Sequence, residues 1–174
     1  MEIHEAIDLI QFTPGNEQNQ VWADLGCGNG LFTKALASLL PGGSIIQAID
    51  ADKKAIREIP DSCNGVGIEK SVLDFTSDSL VFHRMDGVMM ANSLHYVKEK
   101  ETFLKRMTAS LKIGGYFLLV DYDMETVNRW VPYPLPIVAA EQLFLHCGAQ
   151  SFKILNKRKS VFGDQWMYAA LIVR

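Results

Sequence analysis

Val21-Trp22-Ala23-Asp24-Leu25-Gly26-Cys27-Gly28-Asn29-Gly30 is a short apolar run that ends in three closely spaced glycines. Phe32, Ala35, Leu36, Leu39 and Leu40 follow at helical spacing. The stretch therefore reads as strand, glycine turn and helix, the opening unit of a layered α/β fold. In a doubly wound sheet, ligands sit beyond the carboxyl ends of the strands, where the strand order reverses. That rule puts residues 26–30 at the ligand-binding end. Glycine has no Cβ, so the main chain can take unusual φ values and a ligand can approach it closely. Free N–H groups at the start of the next helix favour a negatively charged ligand group.

The same alternation continues outward from this unit. Pro41-Gly42-Gly43 stops the helix, and residues 44–49 read as a second strand. Asp52 is placed to cap a brief helix that Pro60 ends. Residues 66–72 make a third strand, less apolar and so nearer an edge, and residues 77–85 a short helix. Residues 86–92 and 116–120 are apolar enough to be central strands covered on both faces. Between them, Phe103, Leu104, Met107 and Leu111 share one helical face. Pro136 suits the first turn of a last helix that ends at Gly148. Residues 151–155 and 166–173 have no helix between them and are expected to pair as an antiparallel hairpin.

The 174 residues fit one domain, with residues 1–20 as a short N-terminal helix or lid and 21–174 as the core. Ile3, Ile7, Leu9, Ile10 and Phe12 supply that helix with an apolar side. Hydrophobic residues make up 48% and charged residues 21%, which excludes disordered and fibrous classes. A net charge of −3 offers no bulk attraction to nucleic acid or to an anionic membrane. No run approaches the roughly 20 apolar residues of a membrane helix. Met1-Glu2-Ile3-His4-Glu5 lacks the basic start of a signal peptide, and Cys27, Cys63 and Cys147 form no CxxC pair. A reduced, cytoplasmic setting without a metal centre is the expectation; the oligomeric state is left open.

Two cofactor classes compete for the glycine turn. A dinucleotide site wants GxGxxG, but Leu31 stands at the third glycine counted from Gly26, and Thr33 at the third counted from Gly28. Asp24 would also sit badly beside a pyrophosphate and suits a cofactor that carries positive charge. Asp24-Leu25-Gly26-Cys27-Gly28-Asn29-Gly30 resembles the first motif of the class I S-adenosylmethionine-dependent methyltransferases, an acid followed by GxGxG. Further segments resemble that family in order. Asp86-Gly87-Val88-Met89-Met90-Ala91-Asn92-Ser93-Leu94-His95-Tyr96-Val97 is similar to its fourth-strand segment, and Leu111-Lys112-Ile113-Gly114-Gly115 to its LKxGG turn.

The resemblance implies a Rossmann-like three-layer sandwich whose seven-stranded, mostly parallel sheet has an antiparallel last strand. It also implies S-adenosylmethionine as cofactor and methyl transfer by in-line displacement. The implied cofactor contacts are Asp24, Leu25, Gly26, Cys27, Gly28, Gly30, Asp50, Ala51, Asp74, Phe75, Ala91 and Asn92. Asp50 ends the second strand, where a carboxylate can accept both ribose hydroxyls; Asp52 competes but is better explained as a helix cap. Asp74 would reach the adenine amino group with Phe75 flanking the ring, although an Asp before Thr also reads as a turn residue.

Catalytic candidates lie after the fourth and fifth strands: His95, Asp121 and Tyr122. Each also has a plainer reading, as a cap or packing residue. Arg129, Trp130 and Tyr133 lie in a proline-stiffened loop and are the expected acceptor contacts, the aromatics as a shared wall and Arg129 for an anionic group. Lys153, Lys157, Arg158 and Lys159 form a basic cluster without interleaved aromatics, which reads as a solvated strand end. The proline-aromatic tetrapeptide of amino-methylating nucleic-acid enzymes is absent, Asn92-Ser93-Leu94-His95 standing in its place. The expected partner is a small-molecule methyl acceptor, with no nucleic acid and no membrane. An RNA or protein methyltransferase and a non-catalytic cofactor-binding scaffold are the alternatives.

Overall fold

Runs of Val, Ile, Leu and Met make the strands that organise this chain, and the turns between them are cut by Gly, Pro and Asn. The structure is a computed structural model that describes residues 1–15, 18–76, 80, 82–160 and 165–174. In chain order the elements are α1 (Ile3–Ile10), β1 (Val21–Leu25), α2 (Leu31–Ala37), β2 (Ile45–Asp50), α3 (Lys53–Ile56), β3 (Ser62–Cys63) and β4 (Val66–Val72). There follow β5 (Met85–Ala91), a 3-10 turn (Leu94–Tyr96), α4 (Lys100–Ser110), β6 (Leu111–Asp123), α5 (Ile137–His146), β7 (Ser151–Lys159) and β8 (Trp166–Val173). The helix expected over residues 77–85 falls largely outside the described residues, and Met85 itself opens β5.

Among the described residues the sheet has 8 strands in the order β3-β4-β2-β1-β5-β6-β8-β7. β1 pairs in parallel with β2 on one side and β5 on the other, so the strand order reverses at β1. The last hairpin forms as expected: β8 is antiparallel to both β6 and β7. The seven expected strands are joined by β3, two residues antiparallel to β4 at the edge. Its signal was Asn64-Gly65, both at positive φ (52° and 79°), the dipeptide that a tight hairpin favours.

Alternation along the central strands feeds two apolar layers. Val88, Met90, Phe117 and Leu119 face the side covered by α4 and α5. Trp22, Met89, Leu118 and Val120 face the side of α1 and α2. The N-terminal helix is docked, with Ala6, Leu9 and Ile10 buried in that second layer and Glu5 paired to Arg158 at 2.9 Å. At the opposite end of the sheet from the glycine turn, Asp86 accepts the Val21 N–H at 2.8 Å and pairs with Lys112 at 2.6 Å. This aspartate of the fourth-strand motif thus ties β1, β5 and the LKxGG turn together, away from the ligand end. No described helix is long and apolar enough to cross a membrane.

Candidate active site

The glycine turn hangs from the end of β2. Gly26 and Cys27 donate their N–H groups to the Ile49 carbonyl at 2.8 and 3.1 Å. Gly26, Gly28 and Gly30 all have positive φ, and for two of them space is decisive as well. A Cβ on Gly26 would lie 2.5 Å from Ser93 Cβ, and one on Gly30 would lie 2.7 Å from Ile59 Cγ1. Gly28 differs: a Cβ there would meet nothing within 4 Å, so its main chain borders open space. Asp50 accepts the Gly28 N–H at 2.7 Å through one oxygen and the Asp52 N–H at 2.8 Å through the other. Asp52 caps α3 by accepting from Lys54 and Ala55, as the sequence leads one to expect.

Asp24, one residue before the end of β1, points into the α2 layer and is fully buried. Thr33 donates its hydroxyl to one carboxylate oxygen at 2.6 Å, and the other oxygen has no hydrogen-bond partner. Across β5, Asn92 sits at φ 55° with its side-chain oxygen also buried and unpartnered. Ser93 spans the gap between the two strand ends, donating to the Leu25 carbonyl at 2.6 Å. Cys27 is buried in the turn, and burial together with the Asp24 and Asp50 charges pushes its thiol pKa up, which disfavours a nucleophilic thiolate.

Burial lifts the Asp24 carboxyl to about 7, against the lowering effect of the Thr33 hydrogen bond. Between the ordinary value of 3.8 and about 7, the folded protein holds a proton that the unfolded chain has released. Stability therefore falls as pH rises through that window. Asp24→Asn keeps a hydrogen-bond acceptor for Thr33 and carries no charge. It is expected to melt higher than the parent at pH 8 and to lose most of the difference between pH 5 and pH 8. Identical melting curves for the two proteins at pH 8 would refute this.

On the other side of the sheet's end, His95 occupies the 3-10 turn after β5 with 2% of its surface exposed. Its Nδ1 lies 2.7 Å from Asp121 Oδ1, and the same oxygen accepts the Tyr122 N–H at 2.8 Å. Asp121 Oδ2 is buried without a partner. The rings of Tyr96 and Tyr122 lie near that of His95, with centroids 4.5 and 6.2 Å away. The loop before α5 is turned by Asn128, whose side chain accepts the N–H groups of Trp130 and Val131. Farther on, Tyr133 donates its N–H to the His95 carbonyl at 3.1 Å, and its own carbonyl accepts from Lys100 at 2.7 Å.

A family model described as Methyltransferase domain matches residues 23–117, more than half of the chain. The chain belongs to this methyltransferase family. The Invertebrate iridescent virus 6 protein 235L, a methyltransferase by name, is 27% identical over 108 residues, which cover 62% of this chain and 39% of the viral protein. The chain thus spans about two fifths of the length of that curated relative. A solved S-adenosylmethionine-dependent methyltransferase of Leishmania major aligns with a TM-score of 0.72 at 17% identity, over 97% of this chain and 70% of that one. The cyclase SpnF aligns as well, with a TM-score of 0.72 at 15% identity, over 99% and 80%. Likeness at such identity speaks for the fold alone, and a fold hosts many reactions.

Within this methyltransferase domain, Asp24, Leu25, Gly26, Cys27, Gly28, Gly30, Asp50, Ala51, Ala91 and Asn92 gather at the carboxyl ends of three adjacent strands, β2, β1 and β5. Phe75 joins them: its ring carbon would be 3.1 Å from a Cβ on Gly26, and it packs edge-on against Phe103. Asp74 is exposed, and one of its oxygens accepts both the N–H and the hydroxyl of Thr76, so the turn role is present. The shared aromatic wall expected of Trp130 and Tyr133 does not form. Trp130 lines a cleft of about 420 Å³ with Tyr122, Met124, Asn128, Val131 and Gln165. Tyr133 lines another, of about 370 Å³, with Thr76, Tyr96 and Phe103 among others. Arg129 stacks on Trp130, its guanidinium carbon 4.4 Å from the ring centroid. Sequence reasoning missed Thr33, Ser93 and Lys100, whose partners lie elsewhere in the chain; a hydroxyl in the helix after the glycine turn was the one visible hint.

Proposed function

We propose that this domain binds S-adenosylmethionine at the glycine turn and directs its methyl group to a small-molecule acceptor. The observation that carries this reading is the pair of buried, unpartnered oxygens on Asp24 and Asn92, on either side of a turn whose main chain at Gly28 borders open space. Unsatisfied buried acceptors are costly and call for a donor. At this turn a cofactor with an ammonium group supplies donors, whereas a dinucleotide places its pyrophosphate there, which only accepts. The cofactor brings a methyl group on a positively charged sulfur, an already activated leaving group. The protein's work is then alignment and exclusion of water.

In this reading Asp50 accepts the ribose hydroxyls and Ala51, Asp74 and Phe75 border the adenine. Gly26, Gly28 and Gly30 present main chain to the amino-acid end, with Asp24 and Asn92 beside them. Nucleic acid is not the partner: the net charge is −3, Arg158 is paired with Glu5 at 2.9 Å, and Lys157 lies 3.8 Å from Asp123. We place the protein in the reduced cytoplasm, in keeping with the unpaired Cys27, Cys63 and Cys147.

Titration calorimetry with S-adenosylmethionine, S-adenosylhomocysteine and NAD tests the reading. Both sulfur nucleosides should bind at micromolar concentrations and NAD should not. Binding of NAD alone would overturn the proposal, and salt-sensitive binding of RNA would overturn the choice of a small acceptor.

A further inference from the structure

We propose that the acceptor is an uncharged molecule with a planar, apolar body and a hydroxyl group, and that His95, oriented by Asp121, takes the hydroxyl proton. This rests on the methyl-transfer reading above and adds to it the acceptor class and the base.

Asp121 is fully buried, and its Oδ1 is held by the Tyr122 N–H while it faces His95 Nδ1 at 2.7 Å. An ionised carboxylate only accepts hydrogen bonds, so the ring must present Nδ1–H to it. In the neutral ring that tautomer leaves Nε2 as a lone-pair acceptor. Among the described residues no other side chain is hydrogen-bonded to the His95 ring. Removing a histidine and a carboxylate from water costs more than packing two apolar side chains there. The pair is therefore poorly explained by stability alone.

The acceptor class follows from the cleft that Tyr122 lines; His95 is not among its described lining residues and meets it only through Tyr122. Tyr122 connects the two: its ring is 6.2 Å from that of His95, and it lines the cleft with Met124, Trp130 and Val131. The cleft measures about 420 Å³, room for a molecule of one or two rings. Its polar members, Asn128 and Gln165, are neutral, and none of its described lining residues carries a charge. An anionic acceptor would want a cation in the wall, and an ammonium would want a carboxylate. Aromatic and thioether surfaces instead favour a flat apolar body. Trp130, 65% exposed, borders it with the Arg129 guanidinium stacked on its ring; Arg129 itself is not among the lining residues. A hydroxyl suits a base, because its proton must leave as the oxygen is alkylated.

The acceptor oxygen forms a bond to the methyl carbon while its proton passes to His95 Nε2. The electron pair of the broken carbon–sulfur bond stays on sulfur, which becomes neutral. Asp121 remains ionised beside the imidazolium, which then releases its proton to solvent.

The test uses 2-naphthol, 2-naphthylamine and 2-naphthoate as probes with S-adenosylmethionine, and S-adenosylhomocysteine as a binding control. The naphthol should be methylated in preference to the other two. His95→Gln should lower that turnover by about 100- to 10,000-fold while S-adenosylhomocysteine affinity stays within twofold. Trp130→Ala, on an exposed loop, should raise KM for naphthol about tenfold with kcat little changed, and it serves if the buried variant fails to fold. Nitrogen NMR of the unmodified protein should show His95 protonated at Nδ1 and bare at Nε2, with Nε2 shifting when naphthol is added over S-adenosylhomocysteine. The opposite tautomer, preference for the amine or the carboxylate, undiminished turnover in His95→Gln, or no use of naphthol by protein that binds S-adenosylhomocysteine would each overturn the inference. Failure to bind S-adenosylhomocysteine at all would overturn the methyl-transfer reading instead.

Discussion

Replacing Gly87 by alanine is expected to lower the unfolding free energy by about 3 kcal/mol, the upper part of the range for overpacking a tight core. Gly87 lies in β5 directly across from Trp22 of β1. A Cβ at this position would come within 2.4 Å of three carbons of the indole. The indole has nowhere to go. Trp22 is fully buried, its Nε1–H donates to Gln20 at 2.8 Å, and its ring stacks on Tyr116 with 11° between the planes and 6.2 Å between centroids. Phe12 closes another side, 5.7 Å away. Urea unfolding followed by far-UV circular dichroism reads the effect, and Trp22→Leu in the same chain should restore part of the loss. A midpoint equal to the parent's would mean that the strand pair has slack that these distances do not allow.

Asp50→Ala is expected to weaken S-adenosylhomocysteine binding by about 100-fold or more, equivalent to roughly 2.7 kcal/mol. Two losses combine. In the proposed complex the carboxylate accepts the ribose hydroxyls, and charge-assisted hydrogen bonds contribute about 1.5–3 kcal/mol each. In the protein alone it also holds Gly28 N at 2.7 Å and Asp52 N at 2.8 Å, so its removal loosens the turn that must meet the cofactor. Asp52→Ala is the control. It removes the cap of α3, a stability cost of about 1 kcal/mol, and should change affinity less than threefold. Calorimetry on both variants decides between them, and a larger loss for Asp52→Ala would move the ribose contact to that residue.

Much of the framework is legible along the chain because it depends on local pattern. The strand, glycine turn and helix of residues 21–37 declare themselves through apolar runs and glycines, and so do Asp50 at the end of β2 and the cap at Asp52. The terminal hairpin follows from two apolar runs without a helix between them. β3 was harder to see, since two residues carry no periodicity and only Asn64-Gly65 marks the turn. The loop before α5 was legible as a set of residues but not as an arrangement. Trp130 and Tyr133 are three positions apart, yet they line different clefts, Trp130 beside the Asn128 turn and Tyr133 where Lys100 bonds its carbonyl.

The sequence by itself determined the fold class, the order of the strands along the chain, and the glycine turn with its flanking carboxylates, because hydrophobic period and backbone freedom are local properties. Only the tertiary structure decided which polar groups meet. His95 and Asp121 are 26 positions apart, and Ser93 reaches the Leu25 carbonyl across 68. Parallel strands with crossover helices bring distant strand ends to one rim of the sheet. The same packing seals Asp24 and Thr33 away from water, so that one aspartate of the turn is a buried acid with a pKa of about 7. Burial and dielectric belong to the assembled layers, and no single stretch of sequence contains them.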